Sequence, residues 1–121
     1  MVIERLNETL SVCKVKDYSQ VDLDAAFCFT GRTDAEKSLV CETAHVPANA
    51  IAREDGWRAF RVRGPLDFSL IGVLSRMLTV LAERGIGVFV LSTYDTDYVL
   101  TREESFERAL EALADAGYDI A

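Results

Sequence analysis

Apolar positions in the second half of the chain switch between two periods, and the switches mark out the elements. Trp57 to Val62 is short, aromatic and β-branched and follows Asp55-Gly56, which predicts a strand after a turn. Gly64-Pro65-Leu66-Asp67 breaks that strand, since Pro65 has no N–H for a ladder and Asp67 is suited to cap a following helix. From Phe68 onward Ile71, Leu74, Leu78 and Leu81 recur at helical spacing, Met77 and Ala82 widen the stripe, and Gly85 supplies a left-handed stop. Ile86 to Leu91 is a continuous apolar run too short for a helix, hence a buried strand. Ser92 to Asp97 is dense in turn-forming side chains and Tyr98-Val99-Leu100 resumes β character, which predicts a hairpin. Thr101-Arg102-Glu103-Glu104 reads as a capping box, and Phe106, Ala109, Leu110 and Leu113 form a second helical stripe. Gly117 stops that helix, and Tyr118 to Ile120 is a short last strand. The order β-α-β-β-α-β is the split βαβ pattern of a ferredoxin-like domain.

The first half repeats this plan in worn form. Leu10 to Val15 predicts a strand, and residues 17–25 an extended connection with a turn of helix. Ala26 to Phe29 is apolar and aromatic, Gly31 to Glu36 carries turn chemistry, and Ser38 to Cys41 is again strand-like. Pro47 suits the first turn of a short helix running to about Arg53. No Pro- or Ser-rich linker separates the halves. The expected division is an abbreviated unit over residues 1–55 and a full one over 56–121.

Half of the 121 residues are apolar, which supplies a core and excludes disorder. Thirteen Lys and Arg against twenty Asp and Glu give a net charge of −7, the opposite of the basic footprint that nucleic acid requires. An anionic membrane surface is excluded as a partner on the same ground. No basic segment followed by an apolar run opens the chain, and no apolar stretch is long enough to span a bilayer, so the expected location is cytoplasmic. Cys13, Cys28 and Cys41 are odd in number and contain no Cys-x-x-Cys pair, which fits reduced core cysteines rather than disulfides or a zinc site.

Enzyme signatures are missing. His45 is the sole histidine, no phosphate-cradling glycine motif occurs, and Gly85-Ile86-Gly87 is accounted for by a helix stop and a strand start. Asp67, Asp95 and Asp97 offer oxygen ligands of the kind divalent metals take, but hairpin aspartates serve first as turn formers. The expectation is a protein without catalytic residues, metal or cofactor.

Three segments rise above this background. They are Gly64-Pro65-Leu66-Asp67-Phe68 leading toward a helix, the polar cluster Ser92 to Tyr98, and Arg32 to Val40 with the Val46-Pro47 that follows. Taken together they resemble the small bacterial tandem ACT-domain proteins, relatives of the regulatory domains of aspartate kinases and of cytosolic arginine sensors. The resemblance implies an α+β fold of two ferredoxin-like ACT units, with antiparallel sheets packed edge to edge and helices on one face. It also implies a ligand, often an amino acid, bound at an interface between ACT units of a homodimer. One wall would be Gly64, Leu66, Asp67 and Phe68, with Thr93, Tyr94 and Asp97 nearby. Strand backbone around Ser38 and Leu39, from the same chain or a partner chain, would form the opposite wall.

The residues fit that division of labour. An amino acid's carboxylate suits a helix N-terminus, and its ammonium suits Asp67 or Asp97. Phe68 beside Asp67 favours an apolar or aromatic side chain on the ligand over a basic one. The function expected is therefore a non-enzymatic amino-acid sensor. The alternative is an assembly protein of the same fold that pairs with another protein and holds no ligand, and an enzyme, a ferredoxin-like hydrolase or a metal-dependent activity using Asp67, Asp95 and Asp97, ranks third.

Overall fold

The computed structural model describes residues 1–67 and 71–121. The strands are β1 (Val2–Arg5), β2 (Leu10–Val15), β3 (Cys28–Arg32), β4 (Lys37–Glu42), β5 (Ala50–Val62), β6 (Phe89–Ser92), β7 (Asp97–Arg102) and β8 (Asp119–Ile120). The helices are α1 (Val73–Glu83) and α2 (Glu103–Asp115), and a 3₁₀ turn occupies Thr43–His45. The chain forms two compact units, one of residues Glu8–Trp57 and one of Met1–Asn7 with Arg58–Ala121, so β5 begins in one and ends in the other. The expected division after residue 55 assigns the first residues to the N-terminal unit. The structure instead places β1 in the C-terminal unit, where Ile3 pairs with Val62. Four residues of mixed polarity carry too little pattern to announce β1 in the sequence.

In the C-terminal unit the predicted order β-α-β-β-α-β is present, and the strands lie in the order β6-β7-β5-β1-β8. β1 runs antiparallel to β5 and parallel to β8, which corrects the expectation of a wholly antiparallel sheet. The cause is β1 itself, interposed between β5 and β8. Alternation sends Ile3, Phe60 and Val62 to one face, where they join Met77 and Leu81 of α1 and Phe106, Ala109, Leu110 and Leu113 of α2 in one buried cluster. Both helices thus cover the same face. On the other face Glu4 accepts from Arg61 Nε and pairs with Arg63, each at 3.4 Å, while Arg61 Nη1 donates to the Tyr98 hydroxyl at 3.0 Å.

The helix stops follow the sequence and the starts do not. After α1, Gly85 has φ +70°, its N–H donates to Ala82, and Ile86 N–H donates to Leu81. After α2, Gly117 has φ +99° and the bonds from Gly117 to Ala114 and Tyr118 to Leu113 repeat the same six-residue closure. The start of α1 lies at Val73 behind Gly72 at φ +77°, so Asp67 is not its cap, and Ile71, outside the helix, is 86% exposed. The predicted capping box on α2 does not form either. Arg102 is the cap residue and its side chain does not cap the helix, and Thr101 is a buried β7 residue whose hydroxyl donates to the Arg102 carbonyl. Glu103 and Glu104 still place negative charge against the first turn.

The N-terminal unit has strand order β3-β4-β2-β5. Irregular chain joins its strands, and from it Tyr18, Val21 and Val46 pack on Cys13, Val15, Leu39 and Cys41. The short helix predicted from Pro47 is not found. Val46 before the proline is extended, and β5 begins at Ala50, where its first residues pair with β2. The predicted turn at Asp55-Gly56 is instead a bulge within β5. One extra residue fits between the Leu10–Trp57 and Val12–Glu54 pairs, with Gly56 at φ +83°. Asp55 secures the bulge by accepting from Ser11 Oγ at 2.6 Å and from Arg53, and these bonds hold its carboxyl below the ordinary 3.8.

Two measurements check these assignments. Gly85→Ala must force a side chain into the left-handed region and is expected to cost about 1–2 kcal/mol, whereas Gly87→Ala, at a position with open space around it, is expected to stay within about 0.5 kcal/mol. Urea unfolding reads both. Asp55→Asn is expected to lower stability at neutral pH. Because the folded carboxyl is depressed, its contribution is complete above 3.8 and is lost as pH falls through the folded value, so the gap to the parent closes in acid. Unfolding curves from neutral to acidic pH test that convergence.

Candidate functional site

The C-terminal unit latches its hairpin onto the segment that follows β5. Thr96 Oγ1 donates to the Val62 carbonyl at 2.7 Å, and Leu66 N–H donates to the Asp95 carbonyl at 2.7 Å. Gly64 is required between them, because a Cβ there would lie 2.9 Å from the Asp95 carbonyl oxygen. The four-residue hairpin loop is closed internally. Thr93 N–H donates to the Thr96 carbonyl at 2.8 Å, and Thr93 Oγ1 accepts from Thr96 N–H. At its base Ser92 Oγ donates to Asp97 Oδ1 at 2.6 Å. The β3–β4 hairpin uses the same device, with Thr33 N–H bonded to the Glu36 carbonyl at 3.0 Å.

Beyond the latch lies an open cleft of about 290 Å³. Leu66 and Asp67 line one side, Gly72, Val73, Leu74 and Ser75 of the α1 start another, and the hairpin residues Thr93 to Asp97 a third. The first helical bond of α1 runs from Arg76 N–H to the Gly72 carbonyl, so the N–H groups of Val73, Leu74 and Ser75 have no acceptor within the helix. The helix dipole adds partial positive charge at that end. Asp67, Asp95 and Asp97 line the same cleft as carboxylates. One small space thus presents donors suited to an anion and acceptors suited to a cation, with Val73, Leu74 and Leu66 as apolar lining.

Of the residues expected at a site, Leu66, Asp67, Thr93, Tyr94 and Asp97 meet on this cleft. Gly64 lies behind it and acts through its missing side chain. Phe68 lies outside the described residues. Ser38 and Leu39 are not brought to the cleft. They sit on β4, an interior strand of the N-terminal unit, where Leu39 is fully buried and the Ser38 carbonyl accepts from the Tyr18 hydroxyl at 2.9 Å. Sequence reasoning missed Gly72, Val73, Leu74, Ser75 and Thr96. Gly72, which interrupts the apolar stripe just before Val73, is the signal that marks the true helix start. Among the described residues, no group of three His, Cys, Asp or Glu side chains is placed to hold a metal.

A strand–helix–hairpin core with a cleft between a helix start and a hairpin tip defines a ligand-binding α+β domain class. A family model for the ACT domain matches residues 52–115, more than half of the chain, and the chain belongs to that family. An Agrobacterium tumefaciens protein of known structure is 29% identical over 99% of this chain and 91% of its own, with a TM-score of 0.86. A Vibrio cholerae protein of unknown function, described as a possible transport protein, is 22% identical over 92% of this chain and 85% of its own, with a TM-score of 0.71. The regulatory subunit of aspartate kinase from Thermus thermophilus, in ligand-free form, shares the fold at 12% identity, covering 95% of this chain and 96% of its own with a TM-score of 0.65. None of the curated proteins matches the sequence.

The latch generates a direct test. Thr96→Val keeps the shape but removes the hydroxyl's bond to the buried Val62 carbonyl, with an expected loss of about 0.5–1.5 kcal/mol, while Thr96→Ser retains the hydroxyl and is expected to lose less. Thermal and urea unfolding of the two variants would check the ordering.

Proposed function

We propose that this ACT-domain protein is a regulatory sensor that binds a free amino acid in the cleft between the α1 start and the β6–β7 hairpin and performs no chemistry on it. The observation that carries the reading is the pairing of three acceptor-free helix N–H groups with carboxylates across about 290 Å³. A zwitterion has the matching charges at matching scale. Its carboxylate sits at the α1 N-terminus and its ammonium against Asp67 or Asp97. Leu66, Val73 and Leu74 favour an apolar side chain.

The same reading makes the protein a cytoplasmic homodimer in which a second copy closes the open side of the cleft. Tyr94, 82% exposed at the hairpin tip, is the side chain best placed to meet that copy. The two units are read as a full ACT unit and an abbreviated one that share β5 and have lost their helices unequally. The N-terminal strand order β3-β4-β2-β5 and the matched four-residue hairpin loops support this. The abbreviated unit, whose connection supplies core rather than a helix start, binds no ligand of its own.

Calorimetric titration of the dimer with the standard amino acids is expected to find one or a few that bind, once per chain. Asp67→Ala is expected to weaken the best of them at least tenfold, about 1.4 kcal/mol, with an unchanged far-ultraviolet spectrum. Silence across all of them at millimolar concentration rejects the sensor reading and favours the assembly one. Equal affinity in parent and variant removes Asp67 from the site.

A further inference from the structure

Cys13, Cys28 and Cys41 are distant in sequence, yet β2, β3 and β4 bring them to one face of the N-terminal unit. Cys28 stands directly opposite Cys41 in the β3–β4 register, and Cys41 stands opposite Ser11 on β2, two residues from Cys13. The bond from Thr33 N–H to the Glu36 carbonyl makes that pair a hydrogen-bonded one. Counting along the hairpin, 31/38 and 29/40 are then hydrogen-bonded, and 32/37, 30/39 and 28/41 are not. Cys28 and Cys41 therefore occupy the kind of pair in which side chains approach most closely, with Cα atoms about 4.5 Å apart, inside the span of a disulfide. Cys13 lies on the diagonal to Cys41; the two thiols are within hydrogen-bonding reach of each other, but diagonal Cα atoms are about 7–8 Å apart, a span at which a bridge requires backbone movement.

Access points to the same pair. Cys28 is half-buried on β3, an edge strand, whereas Cys13 and Cys41 are 5% and 3% exposed. We propose that Cys28 and Cys41 are a modification site that forms a reversible cross-strand disulfide with a small-molecule disulfide such as glutathione disulfide as oxidant.

The Cys28 thiolate attacks one glutathione sulfur, forming a mixed disulfide and expelling one glutathione thiolate. Cys41 gives its proton to solvent, and its thiolate attacks Cys28 Sγ and expels the second glutathione. Two protein thiols are oxidised and one glutathione disulfide is reduced to two glutathiones. Burial raises both thiols, Cys28 with help from the charge of Asp22 and Cys41 to about 11. The bridge therefore forms slowly at neutral pH and faster as pH rises. Once made, it ties the edge strand β3 to β4.

The test is to incubate the full chain with excess glutathione disulfide at mildly alkaline pH, block free thiols and digest with trypsin. Cleavage after Arg5, Lys14, Lys16, Arg32, Lys37 and Arg53 puts each cysteine on its own peptide, 6–14, 17–32 and 38–53. The expected product joins 17–32 to 38–53, leaves Cys13 blocked as a free thiol, and disappears on treatment with dithiothreitol. Cys28→Ser is expected to abolish the link and Cys13→Ser to retain it. A link to 6–14, glutathione adducts without a link, or free thiols throughout in a chain that circular dichroism reports as folded would each overturn the proposal.

Discussion

The hydroxyl of Thr96 bonded to the Val62 carbonyl, beside the Leu66–Asp95 backbone bond, fixes where the β6–β7 hairpin lies against the chain that leaves β5. Everything proposed for the cleft depends on that contact. It holds the hairpin carboxylates on one side of a small space, and Gly64 permits the approach by having no side chain. Breaking it would leave the buried core intact and the site without its third wall. The Thr96–Val62 bond is buried, so water competes for it less than for an exposed loop contact.

The two units solve the same packing problem differently. In the C-terminal unit α1 and α2 cover the sheet face that carries Phe60 and Val62, and both helices end in the same glycine closure. In the N-terminal unit Tyr18, Val21 and Val46 from irregular chain cover a face built from small residues, cysteines among them. A thiol needs less cover than a phenyl ring, which is how a face can stay buried beneath loops. The same substitution leaves the N-terminal unit without a helix start beside its hairpin, and so without the backbone donors that face the cleft in the C-terminal unit.

Much of this was legible in the sequence. Strand β2 matches its apolar stretch residue for residue, the stops at Gly85 and Gly117 follow from left-handed geometry, and both hairpins follow from their turn chemistry. The resemblance to ACT proteins groups Leu66, Asp67, Thr93, Tyr94 and Asp97, and these five line one cleft. What escaped was set by tertiary context. Pattern cannot tell a glycine turn from a bulge, so Asp55-Gly56 reads as a turn ahead of a strand at Trp57, whereas β5 runs through it from Ala50. Pattern also cannot start a helix where Gly72 rather than an acidic side chain caps it. Ser38 and Leu39 fit a strand wall by analogy, but β4 has neighbours on both sides and its backbone is committed to them.

The central claim is that an amino acid binds between the α1 start and the hairpin tip. Backbone amide chemical shifts, followed by heteronuclear NMR as the binding amino acid is added, test it most directly. The account predicts that the largest changes fall on Val73, Leu74 and Ser75 together with Thr93 to Asp97. Saturable changes confined to β2, β3 and β4, with the α1 start unmoved, would contradict it.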